Sequence, residues 1–510
     1  MTDRSLPGPP ASPDPGPPRD PAELPSLVAA VLAFVPSAVT LLVEVVAIRL
    51  LAPRIGSSIE TYTAAIGVVL AGLAVGAYLG GRAADAFGPR RLVAPVLLVA
   101  AALVAFVAPG IDVAAAALRP PSGPVGATIL AIAGLLLPSI VLGAATPLAA
   151  RGSMVSTAGS GSVVGRISAI ATVGALVGTF LTGFVLLAVA PVRLILLGAA
   201  VVLALTGLVL HLVIGRTSGG VVAILGIAVL GAMTVGVTAT PMCDPESAYY
   251  CVRIGRSLSQ PAVRDLVLDD LIHGSIDLDE PARLRLRYLR TMDTMIEGAH
   301  PAPNAVTALH IGGGAFALPR HLTAERPGTT NRVLELDPAI VRINREILGL
   351  TLAEPELSIR VGDARVSLRD EPAGRYDVVL SDVFAARAVP WHLVTRESLG
   401  EVRRTMVPNG IYVANVIDGG DLRLLAAYVA TLREVFGQVA IAWIVVDGGV
   451  SGNVIVAAGD QLPLDAIAAA LERDLADPAR LATDEEIAAI TDGAPLLTDD
   501  FAPTDALISR

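Results

Sequence analysis

A glycine turn and three acidic residues carry the chemistry that this sequence offers. The stretch ALHIGGGAFALPRHL places Gly312 and Gly314 directly after a short apolar run. Glu335, Asp363 and Asp382 each end a later run rich in Val, Ile and Leu. Open α/β sheets bind ligands at the carboxyl ends of their strands, where a glycine turn lets the backbone approach a nucleoside and an acid accepts the ribose hydroxyls. The pattern therefore predicts a nucleoside-binding enzyme.

The elements that must position these residues are strands alternating with helices. From 305 to 460 the pattern of apolar residues alternates between the one typical of strands and the one typical of helices. This alternation predicts a doubly wound, Rossmann-like sheet, the type that methyltransferases also have. Before it, we predict strands near 248–254 and 264–272 and a helix near 281–297. The predicted domains are thus a small β-rich subdomain at 242–304 and a Rossmann-like catalytic domain at 305–510.

The first half of the chain has the composition of a membrane protein. Seven apolar runs lie between Ser26 and Thr240, each long enough to cross a bilayer, with small residues spaced to let helices pack closely, as at Gly72, Gly76 and Gly80. We therefore predict a multi-pass α-helical membrane domain at 26–241, with the lipid bilayer as a partner and the cell membrane as its location. Residues 1–25 are Pro-rich and are predicted to be a disordered tail.

The arginines predict an orientation for these spans. Eight lie in the amino-terminal tail and the second, fourth and sixth loops, whereas four lie in the alternate loops. This excess favours a cytoplasmic amino terminus, and seven spans then put the carboxyl half outside; a miscount by one span reverses that result. Cys243 and Cys251 pair as a disulfide if their segment faces an oxidising compartment, and two unrelated thiols remain the alternative.

The net charge of the soluble half limits the kinds of molecule that it can bind. Up to residue 241 the chain has 12 Arg and 8 acidic residues, and from residue 242 it has 25 Arg and 39 acidic residues. An acidic soluble half does not suit nucleic acid but does suit a cationic substrate. No HxxxH, HExxH or paired CxxC pattern occurs, so we expect no metal site.

The soluble half resembles the spermidine synthase family, the polyamine aminopropyltransferases. The chain as a whole looks like the bacterial membrane-fused members, often called fused transporter/spermidine synthases. The resemblance spans about 242–505 and follows the family's order of motifs, which here are ESAYYCVRI, LVLDDLIH, RYLRTM, IGGGAF, VLELDP, GDAR and YDVVLSD.

This resemblance implies an activity and a set of residues. The family moves an aminopropyl group from decarboxylated S-adenosylmethionine, its co-substrate, to an amine such as putrescine, and methylthioadenosine leaves. An attacking amine must be neutral, so a carboxylate has to take its proton. By resemblance Asp382 is that carboxylate, with Tyr288 beside it. The expected nucleoside contacts are Gly312 and Gly314 for close approach, Glu335 for the ribose, and Asp363 with Ala364 for the adenine.

The sequence departs from the family around the amine. Ala315 and Ala385 stand where the family has acids, Leu289 and Arg290 stand where it has polar substrate contacts, and His273 replaces a Gln. Acidic contacts for a diamine are therefore reduced. The segment LLTDDFAPTDAL resembles the end of membrane-fused members, which makes Asp499 and Asp500 candidate substrate contacts. His273, at the position of the family's Gln, is the third candidate.

Two alternatives stay open beside an aminopropyltransferase. One is a non-catalytic sensor domain that binds a nucleoside or polyamine on behalf of the membrane half. The other is an S-adenosylmethionine-dependent methyltransferase, because that class shares the sheet and the positions of the acids. The resemblance also implies a possible homo-oligomer.

Overall fold

The computed structural model describes most of the chain. It covers residues 24–55, 59–118, 123–154, 160–214, 217–239, 243–269, 271–384, 389–418, 420–446 and 449–508. All but the last two residues of the predicted tail, together with Ala385 and Ala386, lie outside these ranges.

The amino-terminal half consists of long apolar helices. Within the described ranges, seven helices are long and apolar enough to cross a membrane, so the seven predicted runs are confirmed as helices. They are α1 Ser26–Ile55, α2 Ile59–Phe87, α3 Pro89–Leu118, α4 Pro124–Gly152, α5 Ser160–Val189, α6 Val192–Ile214 and α7 Gly219–Thr238.

Small residues let these helices touch along their backbones. A Cβ atom on Gly76 of α2 would lie 2.1 Å from the carbonyl oxygen of Ile140 on α4, so only glycine allows this approach. Large apolar side chains cover the outer surface, and Phe184 and Leu212 are 77% and 74% exposed. Such a surface is unfavourable in water and suits lipid.

A three-stranded antiparallel sheet opens the soluble half. Its strands are β1 Val252–Arg256, β2 Val263–Leu268 and β3 Leu271–Asp277, and helix α8, Arg287–Ala299, follows. The single strand predicted near 264–272 is therefore wrong. The chain turns at Asp269, where φ is +55°, and Asp tolerates this left-handed conformation. The residues on either side of the turn, 266–268 and 271–272, are all apolar, which hid the turn in the sequence.

The Rossmann-like domain is built on an eight-stranded sheet with the strand order β11-β9-β10-β8-β7-β4-β5-β6. Strands β4 to β8 pair in parallel, and the last three pair antiparallel. The strands are β4 Thr307–Ile311, β5 Thr330–Glu335, β6 Leu357–Val361, β7 Tyr376–Ser381, β8 Met406–Ile417, β9 Gln438–Val446, β10 Gly449–Gly459 and β11 Ala479–Leu481. The helices are α9 Ala317–Glu325, α10 Pro338–Glu346, α11 Ala364–Leu368, α12 Arg396–Thr405, α13 Arg423–Val435, α14 Leu464–Arg473, α15 Asp484–Thr491 and α16 Thr504–Leu507.

Helices cover both faces of this sheet, which is why its central strands are apolar throughout. In β7, Val378 and Leu380 join the core on one face, whereas Val379 joins the core on the other. The predicted fold class, membrane helices followed by a small β-rich unit and a Rossmann-like domain, is confirmed. The strand order brings the ends of β4, β5 and β7 side by side.

A short loop connects the two halves. Cys243 and Cys251 form a disulfide that closes this loop, which settles the alternative left open above in favour of pairing. Arg49, near the end of α1, donates to the carbonyl oxygens of Ser247 and of Ala248, the latter at 2.7 Å. The Glu246 carboxylate accepts from the amide of Val192 at the start of α6, 3.1 Å away. The loop therefore fixes the soluble half against one end of the helices.

Candidate active site

The glycine turn lies between β4 and α9. Gly312 and Gly314 have φ values of +90° and +49°, which favour glycine over residues with a side chain. A Cβ on Gly312 would also lie 2.8 Å from the carbonyl oxygen of Asp382. The turn therefore needs glycine for conformation and for space, as close approach to a ligand requires.

Glu335 lies at the end of β5, beside the turn. One carboxylate oxygen accepts from the amide of Gly313 at 2.8 Å, and the other accepts from the amide of Asp337 at 2.8 Å. Burial raises the pKa of Glu335 to about 7, against the opposing effect of these backbone donors. Glu335 is therefore held in one orientation next to the turn.

Asp363 follows β6 and caps the short helix α11. Its Oδ1 accepts from the amide of Arg365 at 2.7 Å, and its Oδ2 is 3.2 Å from Nε2 of His392. Ala364 is buried beside it. His392 was not found from the sequence, because it comes from the segment before α12, and nothing in its surroundings there points to Asp363.

Asp382 follows β7 and is held by two donors. Its Oδ2 accepts from the hydroxyl of Tyr288 at 2.9 Å, and its Oδ1 accepts from the side-chain amide of Asn415 at 3.0 Å. Asn453 donates in turn to Asn415 at 3.1 Å. Burial raises the pKa of Asp382, and the two hydrogen bonds oppose that shift. A buried carboxylate with a raised pKa is a stronger base than an exposed one.

Two cavities meet at Asp382. The larger, of about 110 Å³, is lined by the turn, Glu335, Asp363, Ala364 and Tyr250. The smaller, of about 30 Å³, lies beside Tyr288. Both are lined by Asp382, His273 and the three glycines of the turn. Every predicted nucleoside contact therefore lines the larger cavity. The predicted base, Asp382, lines both cavities.

His273 stands between Tyr250 and Phe384, with ring centroids 6.4 Å from each. Burial lowers its pKa to about 4, so its ring is neutral at physiological pH. Tyr250 was missed as a site residue because an apolar strand onset predicts a buried tyrosine equally well.

The predicted carboxyl-terminal contacts lie elsewhere. Asp499 accepts from the hydroxyl of Thr395 at 2.7 Å and pairs with Arg365 at 2.7 Å. Neither it nor Asp500, which is exposed, lines either cavity. Asp499 therefore contacts the residue next to Ala364 rather than covering the pocket.

Arg290 also points away from the cavities. Its guanidinium pairs with Asp477 and donates to the carbonyl oxygens of Leu284 and Arg285 at 2.9 and 2.7 Å. The repulsion that an arginine would exert on a cationic substrate is therefore absent at this position. Among the described residues, no group of three or more His, Cys, Asp or Glu side chains is arranged to hold a metal ion.

The sheet, the glycine turn and the acids at the strand ends define a Rossmann-like transferase. The chain is 30% identical over 223 residues to the polyamine aminopropyltransferase of Vibrio vulnificus, which covers 41% of this chain and 71% of that protein. On this similarity, the chain belongs to the polyamine aminopropyltransferase family. No protein-family model matches it.

Other relatives match over shorter stretches. The polyamine aminopropyltransferase of Neisseria meningitidis is 27% identical over 154 residues, 30% of this chain and 57% of that protein. A crystal structure of a probable spermidine synthase from Corynebacterium glutamicum is 28% identical, covers 52% of this chain and 99% of its own, and has a TM-score of 0.46.

Proposed function

We propose that this chain is a membrane-anchored aminopropyltransferase that uses decarboxylated S-adenosylmethionine and a primary amine. The observation that carries the proposal is the position of Asp382, at the junction of a cavity with nucleoside-binding character and a second, smaller cavity. Family membership supplies the reaction class, and Glu335 and Asp363 lie where the ribose and adenine contacts are expected. The domain boundaries at 26–241, 242–304 and 305–510 belong to this proposal.

The residues divide the chemistry between them. The larger cavity holds the nucleoside, with its sulfonium directed toward Asp382. The Asp382 carboxylate takes a proton from the amine and leaves a neutral nitrogen. The nitrogen lone pair then forms a bond to the aminopropyl carbon, the carbon–sulfur bond breaks, and its electron pair neutralises the sulfonium as methylthioadenosine leaves. Tyr288 and Asn415 hold the carboxylate toward the amine.

The membrane assignment rests on the seven helices and their exposed apolar surface. In this proposal they anchor the transferase at a bilayer, and the disulfide-closed loop joins the two parts.

A second candidate, methyl transfer from S-adenosylmethionine, is favoured by one residue, Ala315. By the resemblance, the family has an acid at this position that helps hold the donor chain. The chain of S-adenosylmethionine carries a carboxylate that such an acid would repel, so the uncharged Ala315 removes one obstacle to this donor.

The test is a product assay on the purified full-length protein in detergent. We expect methylthioadenosine and an aminopropylated amine by mass spectrometry, and we expect Asp382→Asn to lower turnover by at least about 100-fold while methylthioadenosine still binds. Asp370→Asn is the matched control, because Asp370 forms an exposed ion pair with Arg360 away from both cavities.

Full turnover in Asp382→Asn would contradict the role of that residue. Consumption of S-adenosylmethionine itself, with S-adenosylhomocysteine as product, would establish the methyltransferase candidate instead. Ligand binding without any product would support the sensor alternative.

A further inference from the structure

A further cavity, of about 60 Å³, lies where the ends of the helices meet the connecting loop. Its charged lining residues are Arg49 and Arg54 of α1, Asp112 of α3, Arg193 of α6 and Glu246 of the loop. It shares no lining residue with the two cavities of the candidate active site. One water molecule needs about 10–15 Å³ of such space, so this cavity takes a group of about five heavy atoms.

Arg54 is buried at this cavity with too few acceptors. Its side chain is only 8% exposed, and it pairs with Asp112 and donates to the carbonyl oxygen of Leu50. Its Nε atom is buried and has no hydrogen-bond partner in the described part of the chain. A buried guanidinium N–H without an acceptor is unfavourable, so a ligand that supplied one would stabilise this arrangement.

The charges around the cavity leave a positive excess. Asp112 is already paired with Arg54, and Glu246 lies close enough to Arg49 to attract it. Arg193 is half-buried, and no described residue forms a hydrogen bond or an ion pair with its side chain. Three arginines therefore face two acids, and one cation is left without a counter-charge.

The lining suits a phosphate group. Guanidinium groups bind phosphate through paired N–H donors, and a phosphate has the five heavy atoms that the cavity accommodates. The rest of the wall is largely apolar and includes Leu50, Pro53 and Pro109. In the proposed membrane-anchored arrangement the ends of the helices lie at the level of the lipid headgroups, where a phosphate adjoins the apolar part of a lipid.

We propose that this cavity binds a phosphate group, carried either by the headgroup of an anionic phospholipid or by a free phosphate monoester. Arg193 supplies the cation that has no partner, and the Nε–H of Arg54 gains an acceptor. The position of the cavity at a bilayer surface rests on the membrane assignment in the proposed function. The binding itself does not depend on the transfer reaction.

The test measures binding of phosphatidylglycerol to the full-length protein by native mass spectrometry from detergent, with phosphatidylcholine of the same acyl chains for comparison. Arg193→Gln should weaken the first bound phosphatidylglycerol by about tenfold or more, because it removes the unpaired cation. Arg166→Gln is the matched control, since Arg166 is an exposed arginine near the start of α5 that does not line the cavity. Equal losses in both variants would overturn the proposal, because they would show a general attraction of arginines for anionic lipid.

A second variant closes the cavity without changing its charge. Ala239 lines the cavity, so Ala239→Phe should occupy the space and weaken the first bound phosphatidylglycerol about as strongly as Arg193→Gln. Ala239→Ser, which stays small, should leave the affinity within about twofold of the wild type. Wild-type affinity in both Arg193→Gln and Ala239→Phe would contradict a site at this position.

The two sources of phosphate give different results. Glycerol 3-phosphate presents the phosphate without acyl chains, and its binding is measured by titration calorimetry on the same protein. Binding of phosphatidylglycerol alone assigns the site to a lipid, whereas glycerol 3-phosphate binding that is lost in Arg193→Gln assigns it to free phosphate esters. Binding of neither to the wild type overturns the proposal. Neither measurement needs turnover, so failure of the product assay contradicts the proposed function and leaves this result unaffected.

Discussion

At the scale of single residues, the site is organised around one carboxylate. Tyr288 and Asn415 donate to its two oxygens, and Asn453 donates to Asn415. Burial raises the pKa of Asp382, and these donors oppose that shift by favouring the charged form that accepts a proton. Tyr288 and Asn415 are therefore positioning residues, since both act through Asp382.

We expect Tyr288→Phe to move the acidic limb of the kcat/KM profile to higher pH. The variant removes a donor from the carboxylate, so the pKa of Asp382 rises further, and activity is lost as the pH falls through that value. A hydrogen bond to a charged group contributes about 1.5–3 kcal/mol, so kcat/KM at pH 7 should fall by about tenfold or more. A pH–rate profile from pH 5 to 9 measures both effects.

The matched control is Tyr376→Phe, which removes a buried tyrosine hydroxyl that donates to Glu371, outside both cavities. It should lower stability and leave the pH profile unchanged. A profile that moves equally in both variants would mean that the effect is one of folding.

The sequence predicts some of these residues better than others. Glu335, Asp363 and Asp382 are recognisable because each follows an apolar strand, and strand ends meet at one edge of the sheet. Asn415 lies inside β8, where a polar residue in an apolar run has no distinct signature. Asp499 shows the limit of resemblance, because a nearby arginine and threonine, brought close only by the fold, bind its carboxylate.

At the scale of elements, the small sheet closes the site. Gly274 of β3 lies against Ala315 of the turn, and the carbonyl oxygen of His273 would be 2.8 Å from a Cβ on Gly314. The hairpin and the turn thus leave no space for side chains between them. The single strand predicted over 264–272 could not reveal this contact. His273 reaches the glycine turn only because the chain reverses between β2 and β3.

We expect Gly274→Ala to separate the hairpin from the turn. Its Cβ would lie 2.4 Å from the Cβ and 3.0 Å from the amide nitrogen of Ala315, and overpacking of this kind costs about 1–3 kcal/mol. Urea unfolding should show that loss, and titration should show weaker methylthioadenosine binding.

Gly400→Ala serves as the control, because Gly400 lies within α12 and a Cβ there meets nothing within 4 Å. It should raise stability by up to about 1 kcal/mol and leave binding unchanged. Wild-type affinity in Gly274→Ala would show that the hairpin does not shape the nucleoside cavity.

At the scale of the whole molecule, the arginines of the helical half lie at the two ends of the helices. Arg151 pairs with Asp85 at 2.9 Å on the end of the helices away from the soluble half. On the near end, Arg49 donates to the connecting loop and Arg54 pairs with Asp112. Paired arginines thus occur at both ends, and the excess of arginines in the amino-terminal tail and the loops of the far end, eight against four, is what favours a cytoplasmic amino terminus.

We therefore expect the soluble half on the extracytoplasmic side of the membrane. An alkaline phosphatase fused after residue 510 should be active and a green fluorescent protein fused there should be dark. Cys243 and Cys251 should react with a maleimide only after reduction, because a disulfide persists in an oxidising compartment. The nucleoside and the amine would then have to be supplied on that side.

The control is the double variant Cys243→Ser with Cys251→Ser, which removes the disulfide. Because the fusions report orientation and not the disulfide, their activities should be unchanged in this variant. A fluorescent protein signal together with free thiols in intact cells would contradict the orientation and place the site in the cytoplasm.

The loop closed by Cys243 and Cys251 has a consequence for how the two halves influence each other. Arg49 binds the loop from the membrane side, and Tyr250, next to Cys251, forms part of the wall of the nucleoside cavity. If nucleoside binding moved Tyr250 and the loop carried that movement to Arg49, the coupling would be reciprocal, and a change at the helix ends would alter nucleoside binding by the same coupling free energy. In the proposed membrane-anchored transferase, the loop closed by the disulfide is therefore the route by which the bilayer would act on the site.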